Sequence, residues 1–223
     1  MVEGLYVVLE GGEGEITEKK SRFIGNVFPV KSEEEALACL EQIRKKHYTA
    51  NHHCFAYIIG ERQELVRCSD DGEPSGTAGR PILSVLQGEN LYNVLVVVTR
   101  YFGGTLLGTG GLVRAYTKGA AEGLAASRIV ERLPGAETEL TMDYTDLGKV
   151  QYIAGQMELP VLDTVYEEQV KMRILLPVPL AETFAKKVTE GTNARVKMNK
   201  LRDVEYGVEG KNVVLINEEG NEE

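Results

Sequence analysis

The chain has 223 residues, 43% of them hydrophobic, enough to bury a core in one large domain or two small ones, so a disordered chain is excluded. Lys and Arg number 25 against 34 Asp and Glu, a net charge of −9, and a bulk electrostatic grip on nucleic acid is not expected. No apolar run approaches the roughly 18 residues of a membrane span, the opening MVEGLYVVLEGGEGE does not read as a secretion leader, and three cysteines without CxxC spacing point to the cytoplasm.

Strand-like runs open the chain at Leu5–Leu9 and Arg22–Val30, split by a Gly-rich turn at Gly11–Gly14. Ser32 followed by Glu35 fits a capping box, and Leu37, Leu40 and Ile43 continue at helical spacing to the cations Arg44, Lys45 and Lys46. Strands are expected at Cys54–Ile59 and Glu64–Cys68. Residues 69–81 (SDDGEPSGTAGRP) read as loop, and Pro81–Leu86 as a short helix. Val94–Tyr101 (VLVVVTRY) reads as a strand buried on both faces. A glycine-rich loop, Gly103–Gly111, then leads into a helix from Leu112 to about Ser127.

Arg132-Leu133-Pro134-Gly135 reads as a break, and the charge balance changes there. Residues 1–132 hold 15 basic and 17 acidic residues, whereas 133–223 hold 10 and 17. Beyond the break the expected order is strand 137–144, helix 146–157, strands 161–166 and 169–176, helix 180–190 and strand 195–205, with a last short run at 213–216. This βαββαβ order is ferredoxin-like. The expected organisation is α+β, with one domain over 1–132, a second over 136–217 and an acidic tail at 218–223.

The glycine loop is the first chemical feature. Gly103, Gly104, Gly108, Gly110 and Gly111 follow a buried strand and open a helix, whose free N–H groups favour an anion such as phosphate. Walker A and GxGxxG spacings both fail, since Thr109-Gly110 stands where Lys and Ser/Thr belong and Val113 where the last Gly belongs. Arg80, Arg100 and Arg114 surround the loop in sequence and suit phosphate or carboxylate. The alternative is that they pair with Asp70, Asp71 and Glu73 and pin the polar loop internally. Those three acids show no EF-hand spacing, and no metal or cofactor is expected. His52 and His53 are adjacent on a strand and point to opposite faces, and Cys54 begins an apolar run. Lys197, Lys200 and Arg202 belong to a basic stripe in the acidic half, readable as a solvated surface or as a patch.

Several segments carry a resemblance. Lys20-Ser21-Arg22-Phe23-Ile24-Gly25, Ala50–Tyr57 (ANHHCFAY), Ser69–Pro81, Val98–Gly104 (VTRYFGG) and Leu107–Tyr116 (LGTGGLVRAY) resemble the IMPACT/YigZ family in order and spacing. The length is similar to that of its two-domain bacterial members. Thr105-Leu106-Leu107 stands where the family more often has Ile-Lys-Leu, which removes a cation from the loop. The resemblance implies a first domain like domain 2 of ribosomal protein S5. It implies a ferredoxin-like second domain of the elongation factor G type. It also implies kinship with eukaryotic translation regulators that act by protein–protein competition, and no catalytic residues carry over.

The expected function is therefore non-enzymatic binding of ribosome, RNA or a translation-related protein. The expected face comprises Asp70, Asp71, Glu73, Ser75, Thr77, Arg80, Arg100, Gly103, Gly104, Gly108, Gly110, Gly111 and Arg114, with Lys197, Lys200 and Arg202 as an auxiliary patch. Two alternatives stand beside it. One is an enzyme or binder for a phosphorylated small molecule at the glycine loop. The other is a module that recognises only protein.

Overall fold

The computed structural model describes residues 4–210 and 212–216, so the expected tail at 218–223 and residue 217 lie outside the described residues. The chain divides into two compact units, Met1–Glu131 and Arg132–Glu223, both mixing helix and strand. The division falls at the start of the expected boundary segment Arg132–Gly135, which is extended chain inside one strand, β7 (Arg128–Met142). Within it Pro134 stands opposite Glu205 of the strand Lys197–Glu209, and pairing with the strand Val170–Pro177 begins at the next residue, Gly135.

The first unit begins with β1 (Leu5–Glu10), β2 (Glu13–Glu18), β3 (Ser21–Pro29), α1 (Glu33–Lys46), β4 (His52–Ile59) and β5 (Leu65–Ser69). It continues with α2 (Gly79–Gly88), β6 (Val94–Tyr101) and α3 (Thr109–Ala125). Five strands form an antiparallel sheet in the order β2-β3-β6-β4-β5. Central β6 is buried from Val94 through Arg100 because helices cover both faces. Leu95 and Val97 face α1 and cluster with Val30, Ala36, Leu40, Ile43 and Tyr57. The alternate residues Val96, Val98 and Arg100 face α2 and α3. Ser32 caps α1 as expected, its Oγ accepting from the Glu35 N–H at 3.2 Å.

Two features were not expected. β2 takes in the last two residues of the stretch read as turn, Gly11–Gly14, and runs on through residues given no element, because Gly14 is needed for contact rather than for turning. A Cβ on Gly14 would stand 2.4 Å from the Glu122 carbonyl of α3, and one on Gly25 would stand 2.1 Å from the Gly119 carbonyl. α3 therefore lies backbone-to-backbone on β2 and β3. The turn joining these strands is Lys19-Lys20, with φ of 47° and 69°. α2 and α3 also start earlier than expected, at Gly79 and Thr109.

In the second unit β7 is followed by α4 (Tyr144–Gln156), β8 (Val161–Tyr166), β9 (Val170–Pro177), α5 (Ala181–Thr192), β10 (Lys197–Glu209) and β11 (Asn212–Leu215). The antiparallel sheet runs β11-β10-β7-β9-β8. Leu140, Met142, Met172 and Ile174 share one sheet face and form a core with Val150 and Ala154 of α4 and Phe184 and Val188 of α5.

Candidate functional site

The polar loop 70–78 is held by its own acids. Asp70 Oδ1 accepts from the Ala78 and Gly79 N–H groups at 3.0 and 2.8 Å, and Oδ2 accepts from Gly76 N–H at 2.8 Å. Asp70 thus caps α2, which is why that helix begins inside the expected loop. Burial alone would raise its pKa, but the N–H groups of Gly76, Gly79 and Ala78 outweigh burial and hold it below the usual carboxylate range. Asp71 Oδ2 accepts from His53 N–H at 2.6 Å, and its Oδ1 lies 3.7 Å from Arg44. Thr77 is buried and donates to the Pro74 carbonyl, whereas Ser75 and Arg80 are exposed.

Glu73 goes furthest inward. Its Oε1 accepts from Arg100 Nη1 at 2.6 Å and from the Tyr116 hydroxyl at 2.7 Å, and His52 Nε2 lies 3.8 Å away. The Arg100 guanidinium sits 5.4 Å from the Phe23 ring centre and 5.5 Å from that of Phe102. Arg100 Nε is buried without a hydrogen-bond partner. Beside this group the Cys54 thiol donates to the Asp70 carbonyl, and burial pushes it up to about 12. That thiol is not an activated nucleophile. Burial likewise raises the Tyr116 hydroxyl far above its usual value. His52 Nδ1–H donates to the Asp71 carbonyl, while His53 Nε2 pairs with the His47 carbonyl, so the two rings do turn to different partners. Among the described residues no group of three or more His, Cys, Asp or Glu is placed to hold a metal ion.

This network floors a cavity of about 470 Å³. Its walls are Phe102, Leu106, Leu107, Leu112 and Pro74, with Gly108 and Thr109 at the start of α3. Gly104 and Gly108 adopt φ of 83° and 71°, which lets the loop turn into the helix. Gly103 does a different job. Its N–H donates to Ser21 Oγ at 3.1 Å, and a Cβ there would stand 2.1 Å from the Lys20 carbonyl carbon. A second cavity, of about 240 Å³, is lined by Lys19, Arg114, Lys118, Glu18, Gly111 and Leu107.

The structure therefore separates the three arginines. Arg100 is buried under the first cavity, Arg114 lines the second, and Arg80 lies on α2 and lines neither. The alternative of internal pinning holds for Arg100 with Glu73. Gly110 is exposed in the first turn of α3, and Gly111 beside it packs on Leu107. In the second unit Arg202 pairs with Glu137 at 2.8 Å and Lys200 with Asp203 at 2.6 Å, so two cations of the auxiliary patch are engaged by acids, while Lys197 is exposed. Sequence reading passed over Phe102, Leu106, Tyr116, Lys19 and Lys118 as site residues. The signal for Tyr116 was available: it is a large polar-tipped residue on the small-residue face Ala115, Gly119, Ala120 of α3.

Comparison with known proteins settles the kinship. The model of the Impact N-terminal domain matches residues 19–124, and that of a domain of unknown function (DUF1949) matches 140–195. The IMPACT family member YvyE of Bacillus subtilis is 40% identical over 210 residues, 93% of this chain and 97% of its own. The chain belongs to the IMPACT family. Protein IMPACT of Mus musculus is 38% identical over 98 residues, 42% of this chain and 30% of its own. A crystal structure of a hypothetical protein is 32% identical with a TM-score of 0.56, covering 91% of this chain and 99% of that one. Apart from Ile16 and Glu18 of the second cavity, the residues lining the two cavities fall inside the matched Impact N-terminal segment. No helix among the described residues is long and apolar enough to cross a membrane.

Proposed function

We propose that this IMPACT family chain is a non-enzymatic, translation-associated regulator that acts in the cytoplasm by binding a partner through the first unit. The observation that carries the reading is the near full-length kinship with a bacterial IMPACT member, joined to a shared N-terminal segment with the mouse protein. The site chemistry supports binding over catalysis. Glu73, Arg100, Tyr116 and Cys54 are engaged within the fold, and the cavity above them is walled by apolar side chains.

We assign the first unit to the S5 domain 2 type on the resemblance. We assign the second to the ferredoxin-like type on its strand order β10-β7-β9-β8 and the two helices packed on one sheet face. Partners in this reading are the ribosome, RNA or a translation-factor protein. The polar and glycine loops from Asp70 to Arg80 and Gly103 to Arg114 form the contact face, Glu73 and Arg100 acting as its support. The test is co-sedimentation with ribosomes and pulldown of purified translation factors across a salt series. Binding to either that weakens in Arg114→Glu/Lys118→Glu supports the reading. No binding to ribosomes or factors at any salt refutes it.

A further inference from the structure

We propose that the first unit docks an acidic–apolar peptide segment of a partner protein. The segment lies across Leu107, with one large apolar side chain in the first cavity and its carboxylates on Lys19, Arg114 and Lys118. This rests on the partner-binding reading above and names the partner's chemistry.

The first cavity fits an apolar anchor. Leu106 is 83% exposed and Phe102 45%, and with Leu107 and Leu112 they wall a space roomy enough for a whole Leu, Phe or Trp side chain. Desolvating such walls is the main gain available from that surface. The floor offers no free charge to a ligand, because Glu73 and Arg100 neutralise each other at 2.6 Å.

The second cavity shares Leu107 with the first and carries charge of the opposite sign to the chain as a whole. Lys19, Arg114 and Lys118 line it against one acid, Glu18, in a protein of net charge −9. None of these three cations has an ion pair within 4.0 Å among the described residues. Arg114 and Lys118 stand one turn apart on α3, so one short acidic stretch can meet both.

The backbone under Lys19 is an independent sign of use. Two-residue hairpin turns with positive φ at both positions favour Asn-Gly, yet here Lys19 and Lys20 occupy them at 47° and 69°. The left-handed region is costly for a residue with a side chain, and departures of this kind concentrate at functional sites. Gly103 seats the Lys20 backbone and thereby fixes the turn beside α3.

Nucleic acid fits this surface less well. Sequence-tolerant binding of single strands wants a run of cations tracking the backbone and several stacking faces. The surface offers three cations and one exposed ring, Phe102.

The test pans a display library of short random peptides on the full-length chain and measures a selected consensus peptide by fluorescence anisotropy. Selected peptides are expected to place Leu or an aromatic residue within a few positions of Asp or Glu. Leu106→Asp and, separately, Arg114→Glu/Lys118→Glu are each expected to weaken the peptide by about tenfold or more while circular dichroism stays unchanged. The proposal is overturned if nothing is selected or if the peptides lack acids. It is also overturned if both variants bind as wild type does, or if oligouridine binds better than the peptide and Leu106→Asp does not affect it. Self-association by sedimentation that Leu106→Asp abolishes would overturn it in favour of a second copy of the chain. Ribosome or factor binding that survives a failed selection would leave the translation reading standing without this docking mode.

Discussion

Replacing Glu73 by Leu removes the carboxylate that neutralises Arg100. The two side chains are 4% and 6% exposed, so the guanidinium would be left buried between the Phe23 and Phe102 rings without its counter-charge. Breaking a buried pair from one side costs about 3–5 kcal/mol. The Tyr116 hydroxyl also loses its acceptor, but the Cys54 thiol lies beside it, which keeps the added loss small. For a unit of this size the total corresponds to a fall of roughly 10–20 °C in unfolding midpoint. The double variant Glu73→Leu/Arg100→Met exchanges the pair for apolar groups and is expected to recover most of that loss. Calorimetry and urea titration of wild type, both single variants and the double close the cycle. A cost below about 1 kcal/mol for Glu73→Leu, or a double variant no more stable than the single, would refute the account of the floor as a buried, coupled pair.

Other outcomes follow from the same geometry. Asp70 has a lowered pKa in the fold, so its stabilisation is present above its unfolded value and is lost as pH falls through the folded one. Asp70→Asn should therefore lower stability at pH 7 and flatten the acid limb below pH about 4, checked by urea titration at several pH values. A thiol reagent at pH 8 should modify exposed Cys68 first, half-buried Cys39 more slowly, and Cys54 only on unfolding, which timed mass spectrometry would follow. Gly25→Ala should destabilise by about 1–3 kcal/mol or more, since its Cβ meets the Gly119 carbonyl. Gly155→Ala in α4 meets nothing within 4 Å and should stabilise by about 0.5–1 kcal/mol in the same denaturant assay.

Much of the architecture was legible because its causes are local. Val94–Tyr101 matched β6 end to end, since an unbroken β-branched run has few alternatives, and Ser32 capped the helix its spacing indicated. β2 was hidden because Gly14 reads as a turn residue, whereas its role is to admit the helix backbone at Glu122, 108 positions further on. The early start of α2 was hidden for a related reason: its cap is Asp70, nine residues before Gly79, and not a neighbour. At the site, the pairing of Arg100 with an acid of the polar loop was one of two readings the sequence allowed. The cation shelf was invisible, because Lys19, Arg114 and Lys118 converge only after β2, β3 and α3 have packed. Lys-Lys is also not a dipeptide that announces a turn.

The backbone seam between α3 and the β2–β3 hairpin bears on binding entropy. Where a helix rests on a sheet through side chains, rotamer changes let the two slide, and groups carried on each keep some independence. At Gly14, Gly25, Gly119 and Gly123 there is no such layer, so helix and hairpin are held carbonyl against main chain. Lys19 rides on the hairpin, and Arg114 and Lys118 ride on the helix. Their spacing is thus set before any partner arrives, and a partner matched to it would spend little ordering free energy on positioning the backbone beneath those charges.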